Sequence, residues 1–229
     1  MKALVLGGTG HVGRALVRTL AERGHEVRFT FWSDEATAAS LPGKGQRVDL
    51  SEPGEMARFL DQLKLESFEF EIFAHCARLR PAEGPGWSEA ERTERALRLW
   101  VESSRAGVRA LAPAGPGEVR NAVLLGAWAP GQSLPLAVPV ATAQGALVTL
   151  AMALGRELAP QGVRVNVLSL GLLDGGAGLE VSAAQIESYK ALSALRRLST
   201  AAEVARLIAW LLEQNRVLNG KAISANGGI

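Results

Sequence analysis

Apolar residues along this chain fall into two alternating patterns. Short runs with no polar face read as strands buried on both sides, and longer stretches with a helical stripe read as helices packed on one side. Ala3-Leu4-Val5-Leu6 is the first such run, followed by a glycine turn and a helix rich in Ala, Leu and Arg that ends near Gly24. Val27 to Trp32 predicts a second strand, with Asp34 and Glu35 placed to cap the next helix. Glu71-Ile72-Phe73-Ala74 reads as the fourth strand, Asn121 to Gly126 as the fifth and Val163 to Leu170 as the sixth. A long helix is expected from Trp87-Ser88 to about Leu111, and another from Ala141 to Ala159 with Leu147, Leu150, Leu154 and Leu158 facing inward. A helix over 183–192 follows. Val204, Leu207, Ile208, Leu211 and Leu212 then mark the last core helix, and Gly220 to Ile229 closes the chain with a seventh strand. Strands alternating with helices predict an α/β fold: one doubly wound parallel sheet of about seven strands, helices on both faces, in a single domain over 1–229.

Composition narrows the function classes. The 229 residues are 48% apolar and 21% charged, enough for one substantial core. A net charge of +2, with no basic run longer than two residues, argues against nucleic acid as partner. Cys76 is the only cysteine, which excludes an intrachain disulfide and argues against a zinc cluster, so no metal is expected. The chain enters its first strand at once, without a signal peptide, and no uninterrupted apolar run approaches the ~20 residues of a membrane span. The expectation is a cytoplasmic protein with no membrane partner.

Candidate chemistry begins at Gly7-Gly8-Thr9-Gly10-His11-Val12-Gly13. Strand, glycine turn and helix together suit a pyrophosphate: the glycines allow close backbone approach, and the helix start offers free N–H groups. Gly7, Gly10, His11, Val12 and Gly13 are the candidate contacts, with a purely structural turn as the alternative. The second strand ends in Phe31-Trp32-Ser33, with no carboxylate for a ribose 2′-hydroxyl, and no arginine is evident for a 2′-phosphate.

Further on, Arg156-Glu157-Leu158-Ala159-Pro160-Gln161-Gly162-Val163-Arg164-Val165-Asn166 and the closing Asn226-Gly227-Gly228 carry a family likeness. With them the chain resembles the short-chain dehydrogenase/reductases, in particular the 3-oxoacyl-ACP-reductase-like branch, over its whole length and most strongly from Ala141 onward. The resemblance implies a Rossmann-like fold, an NAD(P) cofactor and a catalytic Asn-Ser-Tyr-Lys tetrad. Glu94, Ala127, Val140 and Gln144 stand at those four positions. Tyr189 is the only tyrosine, and no lysine lies between Lys64 and Lys190, so no shift of register restores Tyr-x-x-x-Lys. His11 stands where the family has its middle glycine. His75-Cys76-Ala77-Arg78 replaces Asn-Asn-Ala-Gly, which puts Arg78 where a glycine makes room for the dinucleotide. Asp49 matches an aspartate beside the adenine, or is a solvated strand-end aspartate. Residues 171–195 match the substrate lid, with Tyr189 and Lys190 on it. If a cofactor binds, NADP(H) fits somewhat better than NAD, in a site weakened or lost by these changes.

Val140 and Ala127 have no proton to give, and Gln144 carries no charge, so ordinary ketoreduction is expected to be absent. Three readings remain. The chain is a binding or partner subunit, in a homo-oligomer (dimer or tetramer) or a hetero-oligomer with an active family member, taking a small-molecule or acyl ligand. Or it is a non-redox enzyme of cyclase, dehydratase or isomerase type, with His75, Glu94 or Asp174 as acid or base. Or it is an NAD(P)-dependent reductase with its donor moved to Tyr189 or His75. Against catalysis, His75 also reads as a hydrogen-bonded substitute for asparagine, and Cys76 as a small buried apolar residue.

Overall fold

The computed structural model describes residues 1–78, 86–126, 136–175 and 181–229. Seven parallel strands form one sheet in the order β3-β2-β1-β4-β5-β6-β7. They are β1 (Lys2–Leu6), β2 (Glu26–Phe31), β3 (Lys44–Arg47), β4 (Ile72–His75), β5 (Arg120–Gly126), β6 (Val163–Leu170) and β7 (Ala222–Ala225). The helices are α1 (His11–Glu22), α2 (Glu35–Ser40), α3 (Glu55–Leu65), α4 (Glu89–Leu97), α5 (Ser103–Arg109), α6 (Val138–Leu158), α7 (Ala183–Leu192) and α8 (Ala201–Gln214). Strand order reverses between β1 and β4, and open sheets of this kind bind ligands in the crevice at such a reversal, beyond the carboxyl ends of the strands.

Alternation along the strands sorts the core into two layers. Ala3 and Val5 of β1 join Leu16 and Leu20 of α1 and Ile208 and Leu212 of α8 on one face. Leu4 and Leu6 point to the other face, with Phe73 of β4, Leu124 of β5, Leu147 of α6 and residues of α3 to α5. Close packing at two places leaves no room for a side chain: a Cβ on Gly107 of α5 would lie 2.3 Å from the Phe73 ring, and one on Gly45 of β3 would lie 2.7 Å from that of Phe29.

Three elements depart from the sequence reading. β3 is an edge strand with three exposed residues among its four (Lys-Gly-Gln-Arg), so it has no apolar pattern to betray it. The helix expected from Trp87 to Leu111 is interrupted by a π-helical turn, Arg98–Glu102, between α4 and α5. α6 begins at Val138, ahead of the expected Ala141, with Pro139 in its first turn where a missing N–H costs nothing.

Among the described residues, Val138–Gln161 is the one helix long and apolar enough to cross a membrane, at 24 residues and mean hydropathy 1.5. It is instead a core helix: Ala143, Leu147, Ala151, Leu154 and Leu158 are buried in the layer it shares with β5 and β6.

Candidate functional site

The crevice begins at the turn between β1 and α1. Gly7 adopts φ +77°, and a Cβ there would meet the Ala77 backbone at 2.5 Å. A Cβ on Gly13 would lie 2.1 Å from the Gly7 carbonyl oxygen, so the start of α1 is pressed against the end of β1. Thr30 fixes this turn from β2: its hydroxyl accepts from the Gly7 N–H at 3.0 Å and its carbonyl from the Gly8 N–H at 2.7 Å. Gly10 is the N-cap of α1, with no side-chain cap and no acid in the first turn. The first N–H groups of α1 thus have no capping side chain and no acid beside them.

His11 does more than occupy a glycine position. Its Nε2 donates to the Asp174 carbonyl at 2.8 Å, and its Nδ1 accepts from Arg14 Nη2 at 3.1 Å. The carbonyl and the guanidinium together require the tautomer protonated on Nε2. Asp174 enters this contact through its backbone alone. Its N–H donates to the Ser199 carbonyl at 2.9 Å, and the neighbouring Leu173 bridges to Ser199, which holds the loop after β6 in place.

β4 delivers His75 into the interior, with no exposed surface. Its Nε2 donates toward the Leu99 carbonyl at 2.7 Å and lies 2.8 Å from the Ser103 hydroxyl, which also donates to Leu99. Leu99 sits in the π-helical turn, and its carbonyl takes both of these side-chain bonds. Burial pushes the His75 pKa down to about 4, with the Leu99 carbonyl pulling weakly the other way. The ring is neutral at pH 7 and its N–H points away from the crevice, to the helix side of the sheet. Burial pushes the Cys76 thiol up to about 12, so it is no nucleophile.

Of the four tetrad positions, Ala127 lies outside the described residues. Glu94 is exposed on α4 and pairs with Arg98 one turn on. Val140 packs as a partly buried residue against the α3–α6 core layer. Gln144 is 2% exposed, its Oε1 3.0 Å from where a Cβ on Gly126 would stand, at the end of β5. α6 thus turns its residue at the lysine position into the protein.

Tyr189 is also committed. Its hydroxyl donates to the Asn226 carbonyl at 2.7 Å, and a Cβ on Gly171 would lie 1.7 Å from that hydroxyl. Burial raises its pKa, partly offset by a hydrogen bond from the backbone at Leu172. Tyr189, His75 and Asp174 therefore do not converge on one reacting atom: one holds the chain end, one holds a helix, and one offers its backbone to His11.

Asp49, expected beside an adenine, faces protein. Its Oδ1 accepts from the Ser51 N–H and hydroxyl, and its Oδ2 pairs with Arg95 at 3.3 Å. Arg95 also binds Glu52 and lies 4.3 Å from the Trp87 ring centroid. At the outer end of the crevice, Arg47 stacks on Trp32 at 4.7 Å, with Glu35 at 3.7 Å. The sequence concealed this arginine because it ends the unread β3, whose register sets Arg47 beside Phe31. The only signal in the sequence was a cation at a strand end, which is weak alone.

The strand order, the glycine turn after β1 and the crevice define an α/β protein with a Rossmann-like fold. Residues 9–229 match the family model described as enoyl-(acyl carrier protein) reductase, and the chain belongs to this family of short-chain dehydrogenase/reductases. The 3-oxoacyl-[acyl-carrier-protein] reductase FabG of Escherichia coli is 26% identical over 242 residues, covering 99% of this chain and 96% of the relative. The cyclic-di-GMP-binding biofilm dispersal mediator protein of the same species is 24% identical over 212 residues, covering 91% and 87%. Among solved structures, a blue fluorescent protein from a metagenomic library in complex with NADPH superposes with a TM-score of 0.85 at 20% identity, covering 99% of this chain and 96% of that one.

The residues fit half of the cofactor this fold implies. Gly7 and Gly13 are required by backbone packing, since a Cβ on either would strike Ala77 or Gly7, and the uncapped N–H groups at the start of α1 are what would meet a pyrophosphate. The far half does not fit: His11 reaches across to Asp174, and Gln144 is turned inward.

Proposed function

We propose that this chain is a non-redox member of its family, which binds a ligand in the crevice without reducing it and serves as a binding or partner subunit. The observation that carries this reading is the inward-turned Gln144 beside Val140 on α6, with the only tyrosine fastened to the Asn226 carbonyl. Carbonyl reduction needs a proton for the developing alkoxide, and a positioned donor contributes roughly 10²- to 10⁴-fold. Val140 has none. Tyr189 would have to abandon Asn226, and His75 would have to leave a fully buried bond to Leu99. A relocated donor therefore draws no support from either group.

The name of one relative supports binding as an end in itself, since it describes a cyclic-di-GMP-binding mediator. The relative named 3-oxoacyl-[acyl-carrier-protein] reductase indicates the ligand class to try first, an acyl thioester. An oligomer with itself or with an active family member would put such a subunit to use. The test is a steady-state assay of the purified protein with NADPH and a 3-oxoacyl thioester, followed by the same assay with an active reductase of the family added. No NADPH consumption above the protein-free rate is expected from the chain alone. Turnover by the chain alone would refute the reading.

A further inference from the structure

We propose that the crevice is a half-site: it takes the adenosine-diphosphate end of a dinucleotide, 2′-phosphate included, while His11 bars the nicotinamide end. This rests on reading the crevice as a binding site rather than a site of turnover. Dinucleotides lie across the strand reversal, one half over each side of the sheet. Here the reversal falls between β1 and β4, so the far half must pass over the ends of β4 and β5 toward β6. β1 and β6 stand three strand spacings apart, about 14 Å. His11 closes that gap with its 2.8 Å bond to Asp174.

The bridge is built at both ends. Arg14 fixes the imidazole tautomer from one side, and Ser199 holds the Asp174 backbone from the other. Gly175, at φ +66°, completes the fit: a Cβ there would already lie 3.4 Å from His11 Cε1. The uncapped start of α1 faces the pyrophosphate position, and the Arg47–Trp32 pair lies past the end of β2, where a ribose 2′-phosphate would sit. A planar guanidinium suits that phosphate, and the indole suits an adenine face.

Calorimetric titration of the full chain with NADPH and with 2′-phospho-ADP-ribose, which lacks only the nicotinamide, tests this. Wild-type protein is expected to bind the fragment at least as tightly as NADPH. His11→Ala is expected to tighten NADPH by roughly three- to tenfold, the equivalent of one hydrogen bond, and to leave the fragment unchanged. Arg47→Ala is expected to weaken both ligands and remove the advantage of the fragment over ADP-ribose. Thermal unfolding of each variant verifies that it is folded. Tighter wild-type binding of NADPH than of the fragment, an affinity ratio unmoved by His11→Ala, or no binding of either ligand would overturn the proposal. An unaffected Arg47→Ala would overturn its 2′-phosphate part. Oxidation of NADPH would defeat the functional reading separately, since the affinity ratio judges His11 whether or not hydride moves.

Discussion

His75 and Tyr189 carry the proton chemistry that a relocated donor would need, and each is held by a backbone carbonyl inside the protein. Such burial leaves a mark in pH. His75 titrates near 4 when folded and near 6.5 when not, so between those values the unfolded chain holds the extra proton. The stabilisation is full above pH 6.5 and is lost as pH falls toward 4, at up to about 1.4 kcal/mol per pH unit. His75→Asn should flatten this part of the stability profile, measured by urea unfolding across that window; an unchanged slope would show that His75 is not the group responsible. Tyr189→Phe should lower stability by about 1 kcal/mol through the stranded Asn226 carbonyl and leave ligand affinity alone. A change in affinity with unchanged stability would instead place the hydroxyl in the crevice.

The motifs that carry the family likeness turn out to hold elements in place rather than to do chemistry. Asn166 of β6 donates to the Leu218 carbonyl at 2.9 Å and accepts from the Lys221 N–H at 3.1 Å, which sets β7 against β6. Asn121 of β5 ties to the Leu212 and Asn215 carbonyls at the end of α8, and Asn215 returns a bond to Asn121. These roles require no substrate, which explains how Arg164-Val165-Asn166 persists beside Val140 and Gln144. Asn166→Ala should destabilise the fold by about 1–3 kcal/mol, read by chemical denaturation, because two buried backbone groups lose their partner. A neutral result would mean that water replaces the side chain.

Legibility followed the same division. β1 and β5 were readable because burial on both faces writes nearly continuous apolar runs, and β6 because its valines alternate with Arg164 and Asn166. β3 was not, since an exposed edge strand of Lys-Gly-Gln-Arg has no core to face. The π-helical turn was hidden because one of the side chains bound to its Leu99 carbonyl, His75, comes from another element. That the chain has one tyrosine and no lysine between Lys64 and Lys190 could be read by counting residues. The bridge from His11 to Asp174 could not, because it joins positions 163 apart and engages only a backbone carbonyl at the far end.

At the scale of the whole molecule, the family's strand order and glycine turn are present, while His75 and Tyr189 are each bonded to a backbone carbonyl. On the reading proposed here fold and activity separate, since the sheet is held by contacts such as those of Asn166 and Asn121 that need no substrate. The most direct measurement is a single-turnover experiment. Protein in excess over a 3-oxoacyl thioester is incubated with NADPH deuterated at its transferring position, and the hydroxyacyl product is sought by mass spectrometry. If, as proposed, no residue donates a proton in the crevice, deuterium transfer should not exceed that in a protein-free control. Stoichiometric deuterated hydroxyacyl product would contradict the account.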